Sequence, residues 1–590
     1  MNQTVLIGGA SGFWGDSQIA VPQLLRQPGL QYLVFDYLAE TTMSILQRAR
    51  LRAPELGYAT DFVTAAVGPH LREIKAKGVR LVSNAGGLNP AGCRDAILAL
   101  AREQGVNLKV AIVTGDDVLD LQPRFEPWGD EAGADLPALM SANAYLGAAP
   151  VAQALASGAD IVVTGRCVDS ASLLGIAIHE FGWGMTDYDR LAQASLAGHL
   201  VECGAQATGG LFTDWEQVPD WADIGYPLVR LQADGSFELS QPEGAGGLVT
   251  RQTVGEQLLY EIGDPAAYEL PDVVCDFTQV EITDLDGGRV RVQGARGRAP
   301  GGRYKVTATY QQGWHIAIMM AIRGQRALAK AQRTADALLA RTRRQMQAAG
   351  FADYEDTLVE LLGAESMYGP HRRVADSREI VLRIAARHRD RRALAFLQKE
   401  ASSAGTSMGP GSRSHFGGRS DVQSIIRTAS FLLPKAAAAV RVQAAPDEAP
   451  VAVEVIDMAA APAAPNPPAA AATAVAATGP TVRIALGRIA HGRSGDKGDD
   501  ANIGLMARDP KWLPVLRGQL TAERVLQYFA HLVQGPVQRY ELPGLGAFNF
   551  VLRRALGGGG SCSLRSDPLG KCYAQMLLDM EIDCPEDLAP

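Results

Sequence analysis

The chain of 590 residues is too long for one ordinary hydrophobic core, so we expect about three or four structural units. Its hydrophobic fraction of 47%, charged fraction of 20% and net charge of −8 describe a soluble globular protein without a nucleic-acid partner. No apolar run approaches the ~20 residues that span a bilayer, and the first residues carry no basic leader. We therefore expect a cytoplasmic protein with no membrane partner. Its cysteines are scattered without a Cys-x-x-Cys pair, so neither a disulfide scaffold nor a metal site is predicted.

Five short apolar runs alternate with helical patterns in the first part of the chain. They lie at 4–7, 32–35, 79–82, 108–113 and 160–163. This alternation predicts an α/β fold with a parallel, doubly wound sheet and helices on both faces. In such sheets, ligands bind beyond the carboxyl ends of the strands.

A glycine-rich turn connects the first of these strands to an amphipathic helix at 17–26. Glycine lets the backbone approach a ligand closely, and the amino terminus of a helix favours an anion such as phosphate. The turn therefore predicts a binding site, with a purely structural turn as the alternative. Its residues are Gly8, Gly9, Ser11, Gly12, Phe13, Trp14, Gly15 and Asp16.

Polar groups also follow the other four strands. Because the carboxyl ends of parallel strands meet at one edge, we expect these groups to line one pocket, although any single one could instead cap a helix. The candidate catalytic residues at these ends are Asp36, Asn84, Asp116 and Asp169. The candidate ligand-binding residues are Gly86, Gly87, Thr114, Gly115, Thr164, Gly165 and Arg166. Tyr145, on a polar stretch before the fifth strand, could reach the same pocket or pack in the core.

Residues 191–203 read as a helix that carries two further candidate catalytic residues, His199 and Cys203. Four residues apart, they would share a helix face and could form a thiolate–imidazolium pair. His199 and Glu202, three apart, could chelate a metal. Without a second group of ligands we predict no metal, and a cysteine that packs as a small hydrophobe is the simpler reading.

The pattern changes from about residue 216 to short strands, with Gly287-Gly288 as a hairpin signal. Residues 321–349 and 376–397 read as long helices. An alanine- and proline-rich stretch then reads as an extended linker. In the last domain, basic residues beside glycine-rich loops could form a second anion pocket or structural ion pairs. These residues are Arg493, Lys497, Arg565 and Lys571.

The predicted organisation therefore has four parts. They are an α/β ligand-binding domain at 1–215, an antiparallel-rich and helical part at 216–435, the linker at 436–480 and a linker-tethered α+β domain at 481–590.

Motifs along the chain resemble the acyclic terpene utilisation protein AtuA family. They are Gly-Gly-Ala-Ser-Gly-Phe-Trp-Gly-Asp at 8–16, Phe-Asp-Tyr-Leu-Ala-Glu at 35–40, Asn-Ala-Gly-Gly-Leu-Asn-Pro at 84–90, Val-Thr-Gly-Asp-Asp at 113–117 and Val-Thr-Gly-Arg at 163–166. The last domain resembles the AtuA-like ferredoxin-fold domain through Gly-Arg-Ser-Gly-Asp-Lys-Gly-Asp at 492–499 and Ser-Leu-Arg-Ser-Asp-Pro-Leu-Gly-Lys at 563–571. This resemblance implies a part in the catabolism of citronellol- and geraniol-like branched compounds through coenzyme A thioesters. The resemblance identifies no established catalytic residue.

Our leading hypothesis is an enzyme that acts on an acyl-CoA or another anionic small molecule by hydration, dehydration or C–C lyase chemistry. The CoA phosphates would lie on the glycine turn and Arg166, and Asn84 or backbone amides would bind the thioester oxygen. Acid–base chemistry would come from the candidate carboxylates or His199. Coenzyme A enters as part of the substrate, and no other cofactor is required.

Two alternatives belong to other classes. Asp36 stands where a ribose-binding acid would, so an NAD(P)-dependent oxidoreductase is one of them, although Gly9-x-x-Gly12-x-x-Gly15 is an imperfect fingerprint. The other is a non-catalytic scaffold of a catabolic pathway. In each case we expect a homo-oligomer.

Overall fold

The computed structural model describes residues 3–128, 136–414, 418–454, 479–560 and 562–590. The first strands are β1 (Thr4–Gly9), β2 (Tyr32–Phe35), β3 (Arg80–Ser83), β4 (Val110–Thr114), β5 (Glu126–Pro127), β6 (Ser141–Ala144) and β7 (Ile161–Thr164). The helices among and after them are α1 (Ala20–Leu25), α2 (Glu40–Arg52), α3 (Leu71–Lys77), α4 (Pro90–Gln104), α5 (Ala149–Ala156), α6 (Ala171–Phe181) and α7 (Tyr188–Val201).

The middle of the chain is rich in strands. They are β8 (Leu228–Gln232), β9 (Phe237–Ser240), β10 (Tyr268–Glu269), β11 (Val274–Asp276), β12 (Glu281–Leu285), β13 (Arg289–Gln293), β14 (Arg296–Arg298), β15 (Arg303–Arg323), β16 (Asp356–Leu362), β17 (Glu379–His388), β18 (Ser412–Ser414), β19 (Gln423–Pro434), β20 (Arg441–Gln443) and β21 (Val451–Ala452). The helices are α8 (Arg251–Leu258), α9 (Ala327–Ala348) and α10 (Arg391–Ser407).

The C-terminal domain has strands β22 (Thr481–Ala485), β23 (Ala490–Lys497), β24 (Asp500–Ala507), β25 (Val537–Leu542), β26 (Ala547–Leu552) and β27 (Glu581–Pro585). Its helices are α11 (Leu513–Gln519), α12 (Ala522–Tyr528) and α13 (Tyr573–Leu578). None of the helices in the described ranges is both long enough and apolar enough to cross a bilayer.

The first sheet contains eleven of the described strands, in the order β12-β13-β9-β8-β1-β2-β3-β7-β4-β20-β21. The strands β1, β2, β3, β7 and β4 are mutually parallel. Successive residues of β1 belong to different cores, because Leu6 packs with α1 to α4 and Ile7 packs with α5 to α7. The predicted mixed α/β fold is confirmed, but the sheet is parallel only in its centre.

Antiparallel strands extend this sheet on both sides. On one side β8 pairs with β1, so the chain after residue 216 continues the first sheet. On the other side β20 pairs with β4, and β21 pairs with β20. Residues 441–443 and 451–452 thus belong to the sheet although the sequence assigns them to the linker. The reason is the buried Val442, which pairs with Val113. The alanine-rich residues 459–477 lie outside the described ranges.

A second sheet is built around β15, which pairs with β6, β17, β18 and β19. It corrects two helix predictions. The helix predicted at 321–349 begins at Ala327, since β15 runs to Arg323. The first half of the helix predicted at 376–397 is the strand β17. There Ile380, Leu382 and Ile384 are buried at alternate positions, the period of a strand.

The C-terminal domain docks on the end of α8. Asn502 Nδ2 donates to Leu259 O at 2.7 Å, and Glu261 N donates to Asn502 Oδ1 at 2.9 Å. Asn549 Nδ2 donates to Ile262 O at 2.9 Å. Glu261 holds a left-handed backbone conformation, with φ of 55°. The domain, predicted to be only tethered by its linker, is thus fixed to the rest of the protein by buried hydrogen bonds.

Packing and charge reinforce this docking. A Cβ on Gly504 would lie 2.3 Å from Leu259 Cβ, so only glycine permits the close approach of β24. Arg493 Nη2 lies 3.4 Å from Glu256 Oε2, and both side chains are buried. Residues 492–497 of the motif at 492–499 form most of β23 and supply this interface. Paired charges can be buried here because each satisfies the other.

The glycine turn after β1 packs closely on protein at Gly12, although Ser11, Gly15 and Asp16 line a cavity. A Cβ on Gly12 would lie 2.5 Å from the carbonyl carbon of Cys203. The Gly12 amide donates to Asp16 Oδ2 at 2.8 Å, and the Gly15 amide donates to Asp61 Oδ2 at 3.0 Å. Because these two amides already donate hydrogen bonds to carboxylates, the structure does not favour phosphate binding at the turn. The helix also begins later than predicted, at Ala20, so its amino terminus does not follow the turn directly.

Asp116, in the loop after β4, connects strand β6 with the loop after β7 at the carboxyl edge of the sheet. Its Oδ2 accepts hydrogen bonds from Asn143 Nδ2 at 2.9 Å and from the Arg166 amide at 2.8 Å. Gly165 packs directly on the carboxyl group. Burial raises the pKa of Asp116 to about 6, although both hydrogen bonds lower it.

Gly12→Ala tests the packing role of the turn. Since the added methyl group would overlap backbone atoms of Cys203 and Gly204, we expect a loss of about 1–3 kcal/mol in the free energy of unfolding. Gly301→Ala is the matched control, because its Cβ would have no atom within 4 Å. Differential scanning calorimetry of both variants measures this. Equal melting temperatures would contradict the packing role.

Asp116→Asn tests the buried carboxyl group. An asparagine oxygen can accept both hydrogen bonds without ionising. The folded wild type holds its proton up to about pH 6, whereas the unfolded carboxyl loses it near pH 4. Relative to the variant, the wild type should therefore lose about 2 kcal/mol as the pH rises from 4 to 6. Urea unfolding across this range measures the difference, with the exposed Asp583→Asn as control. A difference that is constant with pH would count against this account.

Candidate functional site

Three carboxylates meet beyond the carboxyl ends of the parallel strands. Asp36 follows β2, Asp169 follows β7, and Glu202 follows α7. One oxygen of each lies within 4.8 Å of one oxygen of both others. The three line a small cavity together with Ser11 and Gly198. We call Asp36, Asp169 and Glu202 the carboxylate triad.

Neighbouring donors fix the two aspartates of the triad. Asn84 Nδ2 donates to Asp36 Oδ1 at 2.7 Å, while Asn84 Oδ1 accepts from the Tyr37 amide at 2.8 Å. Arg166 Nη1 donates to Asp169 Oδ1 at 2.9 Å. Burial raises the pKa of Asp36 well above its usual value, and the charges of Asp169 and Glu202 raise it further. Asn84, one of the groups predicted to bind a thioester oxygen, orients Asp36 through this hydrogen bond.

The third carboxylate, Glu202, forms a pair with His199. His199 Nδ1 lies 3.0 Å from Glu202 Oε1, and His199 Nε2 lies 3.1 Å from Leu258 O. Because a carbonyl oxygen only accepts, Nε2 carries hydrogen, and one further proton is shared between Nδ1 and Glu202. Burial raises the pKa of Glu202 to about 7 against the opposing effect of His199. Burial disfavours charge on His199, but Glu202 outweighs it and raises the pKa of the imidazole.

A second group surrounds Tyr145, which enters the site from the end of β6. The guanidinium of Arg166 lies 4.0 Å from the ring centroid of Tyr145. The Tyr145 hydroxyl donates to Glu40 Oε1 at 2.6 Å, and Lys305 Nζ donates to the same oxygen at 3.0 Å. Burial opposes ionisation of Glu40, but Lys305 and Arg166 lower its pKa. Both cations and the carboxylate are therefore charged.

A third group, the Lys571 group, lies at the domain interface and consists of Lys571, Glu261, Asp496 and Tyr260. Lys571 Nζ is 2.9 Å from Glu261 Oε1 and 3.2 Å from Asp496 Oδ1, and it also contacts the Tyr260 hydroxyl. Burial and the charge of Glu261 raise the pKa of Asp496 to about 6, although Lys571 lowers it. Solvent reaches about a quarter of the Asp496 side chain and a third of Lys571.

Cys203 connects the triad to the Lys571 group. Burial raises the pKa of its thiol well above the usual value; Glu202 and Glu261 raise it further, and Lys571 lowers it. The raised pKa favours a neutral thiol over the thiolate of the alternative thiolate–imidazolium pair. In addition, α7 ends at Val201, and His199 binds Glu202 and Leu258 instead.

The other predicted residues contact protein atoms around this site. Asp116 is held by its two hydrogen bonds, and Gly115 packs against the chain at Ala439. The Thr164 hydroxyl donates to Gly165 O. The glycines that pack closely on protein atoms are Gly8, Gly9, Gly12, Gly86, Gly87, Gly115 and Gly165. Phe13 is largely exposed, Trp14 packs on the core of α1 to α4, and Thr114 ends β4 beside β20.

Sequence reasoning assigned no role to Glu40, Lys305 and Glu261, and it considered Asp496 only as an ion-pair partner of the basic residues in the last domain. Glu40 lies shortly after the end of the second strand, so its position in the sequence could have indicated a site residue. Lys305 lies inside β15, where a charged residue on a strand reads as a surface position. Asp496 and Glu261 meet only through the docking of the C-terminal domain, which no local pattern indicates.

Comparisons with known proteins agree with this architecture. The family model described as acyclic terpene utilisation family protein AtuA matches residues 5–444, and the model of the AtuA ferredoxin-like domain matches residues 484–583. Among curated proteins and among solved structures, no match to the chain is found. Membership of the family implies a part in acyclic terpene utilisation. The first match covers most of the chain and the second covers nearly all of its last domain, so this protein belongs to the acyclic terpene utilisation AtuA family.

Proposed function

We propose that this protein is a cytoplasmic enzyme of acyclic terpenoid or branched-chain catabolism that acts on an acyl-CoA thioester. The reaction is a hydration, a dehydration or a C–C bond cleavage, each of which needs proton transfer next to a carbonyl group. The observation that carries the proposal is that carboxylates and cationic side chains from both domains meet at the carboxyl edge of the parallel strands. This edge is where α/β sheets bind their ligands.

The cationic side chains suit an anionic substrate. Lys571 and Lys497 belong to the C-terminal domain and remain in contact with solvent. Lys497 Nζ donates to Glu261 O at 3.2 Å and lies 5.6 Å from the ring centroid of Tyr268. We assign phosphate binding to these lysines in place of the glycine turn, whose amides bind Asp16 and Asp61.

Proton transfer is best supplied by Asp496. A general base works most efficiently when its pKa is near the working pH, and that of Asp496 is raised to about 6. Lys571 holds the carboxylate in place and solvent reaches it. His199, in contrast, uses both ring nitrogens within the protein. Buried Arg166 would stabilise negative charge that develops on the thioester oxygen.

Binding of CoA esters tests the substrate class. A panel of branched and linear acyl-CoA thioesters should raise the melting temperature of the full-length protein, because a ligand of the folded state stabilises it. The matching free acids serve as control, since they lack the phosphates that the lysines would bind. NADPH is added separately to test the oxidoreductase alternative. No shift with any CoA ester would refute the proposed substrate class.

Asp496→Asn tests the base. With a responsive CoA ester, kcat/KM of the wild type should fall below about pH 6, where the carboxylate takes up a proton. The variant should lose at least about 100-fold in kcat at neutral pH and should lack this pH dependence. Asp583→Asn, an exposed carboxylate on β27, should keep the wild-type profile. An Asp496→Asn enzyme with wild-type kcat would exclude this role.

A further inference from the structure

We propose that the carboxylate triad of Asp36, Asp169 and Glu202 binds one divalent cation of the class that prefers oxygen ligands, namely Mg²⁺, Mn²⁺ or Ca²⁺. One oxygen of each residue lies within 4.8 Å of the others. Two ligands of one ion are separated by at most twice the metal–oxygen distance, about 4.2 Å for Mg²⁺ and about 5 Å for Ca²⁺. The spacing of the triad therefore suits one Ca²⁺ as it stands, and it would suit one Mg²⁺ after a small contraction.

An unsatisfied oxygen supports this inference independently of the spacing. Glu202 is 8% exposed and lines the same cavity as Asp36 and Asp169. Its Oε2 finds no hydrogen-bond donor in the part of the chain that the structure describes. A buried polar atom without a partner costs free energy, and a cation in the cavity would remove this cost.

In each carboxylate of the triad, neighbouring residues contact one of the two oxygens. Asn84 and the Leu38 amide donate to Oδ1 of Asp36, Arg166 donates to Oδ1 of Asp169, and His199 contacts Oε1 of Glu202. In metal sites, such neighbours orient the ligands and leave another oxygen for the ion. The arrangement around the triad is of this kind.

The donor set also decides the class of cation. The triad offers only carboxylate oxygens, which suit Mg²⁺, Mn²⁺ and Ca²⁺. The nearest imidazole, His199, uses both ring nitrogens within the protein and offers none to an ion. Zinc, which takes nitrogen and sulfur ligands, therefore fits this site poorly.

In the proposed reaction the cation would lie beside Arg166, which is assigned to the thioester oxygen and binds Asp169 of the triad. The proposed base, Asp496, belongs to the other domain. The inference rests on the carboxylate geometry and not on the acyl-CoA reaction. Binding of the ion can therefore be measured without a substrate.

The test uses the full-length protein after treatment with a chelator. Isothermal titration calorimetry and Mn²⁺ electron paramagnetic resonance should show one bound Mn²⁺ per chain, with Mg²⁺ or Ca²⁺ competing. Glu202→Gln should weaken binding at least about tenfold. Glu243→Gln, which removes an exposed carboxylate elsewhere, should bind as the wild type does.

A melting experiment separates loss of the ion from loss of folding. Without metal, Glu202→Gln should melt at or above the wild-type temperature, because it removes one of three adjacent carboxylates. Addition of Mn²⁺ should raise the melting temperature of the wild type and not that of the variant.

The inference is overturned if the wild type binds none of the three ions, or if Glu202→Gln binds Mn²⁺ as tightly as the wild type. Mn²⁺ binding without any response to CoA esters would support the cation site and refute only the proposed substrate. A response to CoA esters without Mn²⁺ binding would refute the cation site and leave the proposed substrate class intact. The failure of one proposal can therefore be distinguished from the failure of the other.

Discussion

The buried hydrogen bonds between the C-terminal domain and the end of α8 are the contact on which the site depends. Asn502 and Asn549 satisfy the backbone at Leu259, Glu261 and Ile262, where a helix end without partners would be costly. The same contact places Asp496 and Lys571 against Glu261. The two family matches therefore cover two parts of one candidate site, although residues 445–483 separate them in sequence.

Charge is concentrated at this interface in an ordered way. Within the triad Glu202 is buried, whereas Asp36 and Asp169 are partly exposed. Buried Arg166 of the Tyr145 group binds Asp169, and solvent reaches part of the Lys571 group. Buried ions are tolerated where opposite charges and hydrogen bonds compensate them. Most of these groups have such partners. Among the described residues of the site, two buried atoms have none, Arg166 Nε and Glu202 Oε2, and Glu202 lines the cavity.

Sequence patterns predicted the central strands because apolar runs and turns determine them locally. They also brought Asp36, Asp169 and Arg166 together correctly, since parallel strand ends share one edge. The glycine turn misled for a physical reason: close packing on Cys203 and close approach to a phosphate both require glycine. β17 was missed because arginines on its outer positions resemble a helix face. Long-range contacts such as Lys571 with Glu261 leave no local trace in the sequence.

The left-handed conformation of Glu261 has a consequence for the order of assembly during synthesis. A non-glycine residue in this region carries a strain of about 1–3 kcal/mol, which its surroundings must offset. The contacts that hold Glu261, from Asn502 and Lys571, come from residues 481–590. The N-terminal part emerges from the ribosome first. Glu261 therefore gains these contacts, which offset its strain, only after the C-terminal domain has been synthesised.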